Sequence, residues 1–477
     1  MTTTLYWHDY ETWGADPRRD RPAQFGGIRT DLELNVLGKP MVFYCKPASD
    51  MLPQPEACLV TGITPQKALK EGIREAEFMA EIHRQFSRPG TCGVGYNSIR
   101  FDDEFTRYGL YRNFFDPYGR EWRNGNSRWD IIDMVRLTHA LRPEGINWPE
   151  HEDGSPSFRL EDLTAANDIS HEDGHDALSD VLATIELARL IRRQQPRLYD
   201  YLFGLRDKRK VAEQLNLRQP QMVLHVSSMY PASLGCIAPV LPVAQHPTNK
   251  NGVIVFDLRH DPEPLLDLGV EEIRKRLFTR SEDLPEGVER IPLKTVHLNK
   301  CPVVVPMSTL TPEAAERWQI DLEAAQENVH KLQSALTLMA KIEEVHAERD
   351  FEPISDPDQN LYGGGFFSDT DRSLMNDIID MGPDKLARSR IQFGDPRLPE
   401  MLFRYRARNW PESLSKKERE EWDKFRYNRL TNPEADCGIT LDDYQKQLAR
   451  LVIQPDSGTR EREILSALAD WPAAIGM

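Results

Sequence analysis

The chain opens on an alternation of apolar and polar side chains. Leu5-Tyr6-Trp7-His8-Asp9-Tyr10-Glu11 reads as a β-strand, in which residues two apart share a face. Ala23-Gln24-Phe25-Gly26-Gly27-Ile28-Arg29-Thr30 and Val42-Phe43-Tyr44-Cys45 are further strand-like runs, and turn residues such as Gly38-Lys39-Pro40 predict an antiparallel meander. The period then changes. Ile73, Phe78, Ile82 and Phe86 recur at helical spacing, which predicts a helix over 71–86. Thr91-Cys92-Gly93-Val94-Gly95-Tyr96-Asn97 is a short buried-type strand leading into a helix over 102–115. Arg128-Trp129-Asp130-Ile131-Ile132-Asp133-Met134 is a strand or a strand-to-helix junction. A last helix over 176–193 carries Ala177, Val181, Ile185, Ala188 and Ile191 on one face, and Gln194-Gln195-Pro196 stops it. Residues 1–195 therefore form one α/β domain by pattern.

The pattern shifts beyond that point. Met222-Val223-Leu224-His225-Val226, 252–258, Thr295-Val296-His297-Leu298 and Val303-Val304-Val305 are short strands punctuated by proline, with a helical stretch over 312–347. This predicts a β-rich domain over 196–349. A polar, proline-bearing linker lies near 351–358, and the segment beyond it is mostly helical, which makes 350–477 a third domain.

A chain of 477 residues is long enough for two to four domains with buried cores. No apolar run reaches the roughly 18 residues of a membrane span. Met1-Thr2-Thr3-Thr4 lacks the basic and apolar regions of a signal peptide, so a cytoplasmic location is expected. The six cysteines are scattered without zinc spacing, and reduced thiols are the expectation. A net charge of −16 argues against a polyanion binder working by bulk charge. It leaves room for a nucleic-acid enzyme with basic groups confined to a groove, and carboxylates awaiting metal would add to the negative total.

The strand period places Asp9 and Glu11 side by side with Tyr10 on the reverse face. Two such carboxylates repel, and a divalent cation removes the conflict. Taken alone the pair also fits solvated surface. Phe101-Asp102-Asp103-Glu104 opens a helix, where acidic residues complement the dipole, yet a helix start after a buried strand also lies where α/β proteins bind ligands. His175 and Asp180 are five residues apart and cannot share a helical face. His175 is better placed in the preceding loop beside Gly174, as a mobile general base next to a fixed Asp180. Spacing does not choose between Asp102 and Asp103.

Asp9, Glu11, Asp102, His175 and Asp180, in that order, resemble the signature of the DEDDh 3′–5′ exonuclease superfamily. Further stretches are similar to bacterial exodeoxyribonuclease I: His8 to Thr12, Arg21-Pro22-Ala23-Gln24-Phe25, Thr61 to Pro65, Arg142 to Pro149, Ser157 to Glu161, Gly365 to Asp369 and Tyr405 to Asn409. The resemblance covers essentially the whole chain. It implies a ribonuclease H-like exonuclease domain with a mixed β-sheet, an SH3-like domain and a helical C-terminal domain. It also implies that Asp9, Glu11, Asp102 and Asp180 hold two Mg²⁺ ions, Mn²⁺ being the alternative, while His175 takes the proton of the attacking water and 5′-mononucleotides leave from the 3′ end of single-stranded DNA. The expected setting is DNA repair and recombination. The expected partners are single-stranded DNA and the acidic C-terminal tail of single-stranded DNA-binding protein, with no membrane and a monomeric state.

Substrate contacts are sought among basic residues. Residues 401–430 hold nine bases, among them Arg404, Arg406 and Arg408, with Phe403, Tyr405, Trp410, Trp422, Phe425 and Tyr427 interleaved, a composition that suits single strands as well as a solvated helix. Arg406, Arg408, Arg142 and Arg159, together with Glu11, are the candidate substrate contacts. A second basic patch is Arg206, Lys208, Arg209 and Lys210. Trp13, Phe101 and Tyr96 could stack on the terminal base or belong to the core. Competing readings are a 3′–5′ exoribonuclease, because no motif reveals 2′-OH contacts, and a non-catalytic single-strand-binding scaffold.

Overall fold

The computed structural model describes residues 2–171, 174, 176–347, 354–453 and 458–477. Two compact units share the chain: Met1–Ser127 with His171–Ile185 and Glu352–Met477, and Arg128–Ser170 with Glu186–Phe351. Residues 128–170 fall in the second unit, and the C-terminal segment falls in the first. Among the described residues no helix is long and apolar enough to cross a membrane.

The first unit is built on β1 (Thr4–Thr12), β2 (Pro22–Thr30), β3 (Met41–Tyr44) and β4 (Thr91–Gly95). Within this unit the strand order is β3-β2-β1-β4, and β5 (Ser127–Asp130) starts at the last residue of its first segment. β1 pairs antiparallel with β2 and parallel with β4, a mixed sheet. Tyr6 and Tyr10 on one face of β1 pack with Phe25, Phe78 and Phe86. Phe78 and Phe86 come from α1 (Glu75–Phe86), which begins later than the apolar period suggests. Ile73 instead forms a bridge with Cys45, so backbone pairing overrides the helical spacing at that end. α2 (Asp102–Arg112) and α3 (Ala177–Gln194) follow.

The second unit carries a five-stranded antiparallel sheet of order β10-β6-β7-β8-β9, made of β6 (Val223–Val226), β7 (Ile237–Gln245), β8 (Gly252–Asp257), β9 (Leu293–His297) and β10 (Val303–Pro306). The apolar faces of β7 and β8 pack on α4 (Leu322–Ser334) and α5 (Leu338–Ala347). The central strand β7 is absent from the sequence expectation because it contains Pro239 and Pro242. Proline cannot donate to a ladder, and the register shifts between Pro242 and Ala244 accommodate it.

The C-terminal segment is helical, with α6 (Leu398–Asn409), α7 (Lys416–Thr431), α8 (Leu441–Val452) and α9 (Thr459–Ala474). α8 and α9 share a core with Trp13, Met51 and Ile63. Asp358, at the end of the expected polar linker, and the neighbouring Gln359 are buried.

Candidate active site

The parallel pairing of β1 with β4 ends at Trp7 and Val94. Asp9 and Glu11 lie just beyond, at the carboxyl end of the parallel pair, where open α/β sheets bind ligands. Tyr10 points the other way and its hydroxyl hydrogen-bonds Thr106 of α2 at 2.9 Å. Asp180 sits in the first turn of α3. One oxygen each from Asp9, Glu11 and Asp180 lies within 4.8 Å of the others.

The turn into α2 brings the fourth carboxylate. Gly95 ends β4 where a Cβ would stand 2.6 Å from that of Ser98, so the chain folds tightly into a 3₁₀ turn and then α2. Asp102 is buried and its Oδ1 accepts from the Tyr10 backbone N–H at 3.1 Å. It stands outside the close group of three, yet after burial its charge bears most on Asp9. Asp103 turns elsewhere: Arg120 donates to it at 2.5 Å, and His8 lies 3.9 Å away. Of the two neighbours, Asp103 thus meets the Arg120 guanidinium, while the charge of Asp102 bears on Asp9.

Burial and then the neighbouring carboxylates drive Asp9 well above the usual carboxylate range. Burial, followed by the charges of Asp180, Asp102 and Asp176, raises Glu11 from 4.5 to about 9. A set of carboxylate oxygens that repel one another fits a hard divalent cation, which prefers oxygen and cancels the repulsion.

His175 lies outside the described residues. Two neighbours of the site carried no sequence signal. His171 Nε2 is 2.5 Å from Asp180 Oδ1; the two are nine positions apart in sequence, a spacing that no secondary-structure period links. Gln24, opposite Glu11 in β2, reaches Asp176 at 2.9 Å.

Two of the expected substrate contacts, Arg406 and Arg408, are held in ion pairs. The Arg408 side chain is buried and paired with Asp50 at 2.8 Å and Asp358 at 2.6 Å. Arg406 pairs with Glu418 at 2.7 Å, and Arg404 with Asp356 at 2.7 Å. Arg404 and Arg408 reach acids far away in sequence, Asp356, Asp358 and Asp50, which a local charge count does not see. Phe403, Trp422 and Phe425 pack together with Ala407 and Leu414, and Trp13 is core. Lys416, Lys417 and Lys424 remain exposed. In the second unit Arg159 is exposed and 3.1 Å from Glu161, and Arg142 donates to the Leu141 carbonyl.

A mixed sheet with acidic side chains gathered at the carboxyl end of its central strand defines a metal-dependent nuclease of the exonuclease class. Family comparisons agree: residues 6–188 match the Exonuclease family model, 206–348 the Exonuclease I SH3-like domain and 355–475 the Exonuclease I C-terminal domain. The chain is 47% identical over 474 residues to exodeoxyribonuclease I of Escherichia coli, covering 99% of this chain and 98% of that protein. It is 43% identical to that of Haemophilus influenzae over 98% of each chain. Exonuclease I of Methylocaldum szegediense superimposes with a TM-score of 0.95 at 54% identity, over 99% of both chains. The E. coli enzyme in complex with a dA16 oligonucleotide does so with a TM-score of 0.95 at 46% identity, over 99% of this chain and all of that one. A zinc-ion-bound form of the E. coli ssDNA complex is equally similar, at a TM-score of 0.95. The chain belongs to the exodeoxyribonuclease I family.

Proposed function

We propose that this exonuclease degrades single-stranded DNA from the 3′ end to 5′-mononucleotides, with two Mg²⁺ ions held by Asp9, Glu11, Asp102 and Asp180. The observation that carries the reading is the gathering of Asp9, Glu11 and Asp180 oxygens within 4.8 Å. Bound there, the ions would neutralise charge at the phosphate and acidify water. The residues themselves do the holding and the proton transfer. Asp9 and Glu11 present oxygens from one strand face. The Tyr10 N–H donates to Asp102 Oδ1 and His171 contacts Asp180 Oδ1, which orients both carboxylates. His175 takes the proton of the attacking water at an imidazole nitrogen. The similarity to oligonucleotide-bound relatives supports single-stranded DNA as substrate. By family likeness the setting is DNA repair and recombination in the cytoplasm, acting as a monomer, with the acidic tail of single-stranded DNA-binding protein as partner.

The test is product analysis on 3′-end-labelled single-stranded DNA, duplex DNA and matched RNA, with Mg²⁺ and with chelator. Mononucleotides from single-stranded DNA, dependent on Mg²⁺, are expected. Equal or faster RNA hydrolysis would make the enzyme an exoribonuclease, and binding without hydrolysis would make it a scaffold.

A further inference from the structure

β2 does more than pair with β1. In the antiparallel register Gln24 stands opposite Glu11, and Gly26 opposite Asp9. Gln24 is buried, and its carboxamide grips the start of α3 at two points. Nε2 donates to Asp176 Oδ2 at 2.9 Å, and Oε1 accepts from the Ala177 N–H at 3.2 Å. The other Asp176 oxygen accepts from the Leu178 and Ser179 N–H groups at 3.2 and 3.3 Å, capping the helix. Gly26 lets the two elements close. A Cβ there would stand 2.5 Å from the Ala177 carbonyl carbon and 2.6 Å from the Leu178 nitrogen. Backbone atoms cannot yield at that distance unless the helix moves.

We propose that Gln24 and Gly26 are positioning residues that seat the first turn of α3, placing Asp180 with Asp9 and Glu11 and holding Asp176 out of that group. The inference rests on the metal-site reading above. The Asp180 N–H bonds to the Asp176 carbonyl at 3.1 Å, so any shift of the capped turn displaces the Asp180 carboxylate. Asp176 is a fifth acid whose charge already bears on Asp9 and Glu11. The Gln24 amide and the two helix N–H groups occupy both its oxygens, which keeps a competing carboxylate turned away. Groups that orient ligands in this way are worth about 10–100-fold in metal affinity or activity.

The discriminating experiment uses the full chain and compares wild type with Gln24→Glu, Gly26→Ala, the double variant Gln24→Glu/Asp176→Asn, and Asp9→Asn as control. Mn²⁺ affinity is read by calorimetry, and kcat and KM on a single-stranded oligonucleotide. Gln24→Glu keeps the side-chain shape but sets two carboxylates against each other, so kcat and Mn²⁺ affinity should each fall about 10–100-fold with KM unchanged. The double variant restores a donor across the same contact with reversed polarity and should recover most of both losses. Gly26→Ala moves the helix and should lower kcat about 100-fold. Wild-type kcat and Mn²⁺ affinity in Gln24→Glu would overturn the inference, as would a loss that the double variant fails to recover. Should Gln24→Glu not fold, wild-type values in Gly26→Ala overturn it alone. An Asp9→Asn variant as active as wild type would instead overturn the metal-site reading beneath it.

Discussion

Two groups of buried acids occupy the first unit, and they meet burial in opposite ways. Asp50, Glu75 and Asp358 each face guanidiniums. Asp50 lies between Arg408 at 2.8 Å, Arg21 at 3.4 Å and Arg429 at 3.9 Å. Glu75 accepts from Arg21 at 2.8 Å and Arg112 at 3.1 Å. Asp358 lies 2.6 Å from Arg408 and 3.1 Å from Arg404. Burial opposes ionisation in all three, yet the neighbouring cations hold their carboxyls below the usual range. Asp9 and Glu11 are desolvated too, but the strongest charges around them are other carboxylates, and both are pushed up. The residue types are the same in both groups. The first is complete within the chain and ties the C-terminal segment to the N-terminal strands. On the metal-site proposal, the second is completed by a cation from outside. Removing one member should therefore cost folding in the first group and activity in the second.

The largest effect is expected for Asp9→Asn. Loss of one ligand removes charge stabilisation worth several kcal/mol, and at about 1.4 kcal/mol per factor of ten kcat should fall about 10³-fold. Without metal the variant should melt no lower than wild type, because it removes an acid whose ionisation the site opposes. Calorimetric melting in chelator beside a kinetic assay checks both halves.

Asp50→Asn should reverse that pattern. It leaves Arg21, Arg408 and Arg429 without a shared counter-charge, and breaking a buried pair costs about 3–5 kcal/mol. Denaturant unfolding should show the loss, while turnover per folded molecule stays at the wild-type level. A variant that is stable but inactive would mean that the buried network reaches the metal site.

The acids of the site were more legible in the sequence than those of the network. Asp9 and Glu11 sit on a strand whose period of two is local, and the order of Asp102, His175 and Asp180 is a linear pattern. The partners of Asp50 and Asp358 lie at Arg21 and Arg408, far away along the chain. Nothing near Arg408 distinguishes a structural guanidinium from a phosphate contact, so the same residues read as a basic patch. β7 was hidden by its prolines, and His171 and Gln24 by the absence of any periodic relation to the residues they hold. Local patterns were readable; contacts closed by tertiary packing were not.

The contrast also predicts a pH dependence. Glu11 binds its proton in the folded, metal-free protein up to about 9, but in the unfolded chain only to its ordinary 4.5. Between these values the folded state holds more protons, so stability falls as pH rises through that window. Asp50, Glu75 and Asp358 act in the other direction, their stabilisation being lost only in acid, as pH drops below the usual carboxylate range. Melting in chelator should thus decline from pH 5 to about 9, and Glu11→Gln should flatten the decline. A wild-type slope of zero would mean that Glu11 ionises normally.

Adding the cation should expose the same protons in a smaller signal. A ligand must be deprotonated to bind metal, so binding releases protons from any carboxyl that holds one. At a pH one unit below 9 the Glu11 carboxyl is mostly protonated in the metal-free protein, and Mg²⁺ should displace that proton together with any held by Asp9. Titration of Mg²⁺ in buffers of different ionisation enthalpy measures this number as the slope of apparent heat against buffer enthalpy. Glu11→Gln should reduce the slope, whereas Asp50→Asn should leave it untouched because that acid is already ionised against arginine. Equal slopes in wild type and Glu11→Gln would place the released proton on another carboxyl of the cluster, with Asp9 the next to substitute. A slope unchanged by either Glu11→Gln or Asp9→Asn would remove the distinction between the two groups of acids, because it would leave the strand-borne pair as fully ionised as the acids that face arginine.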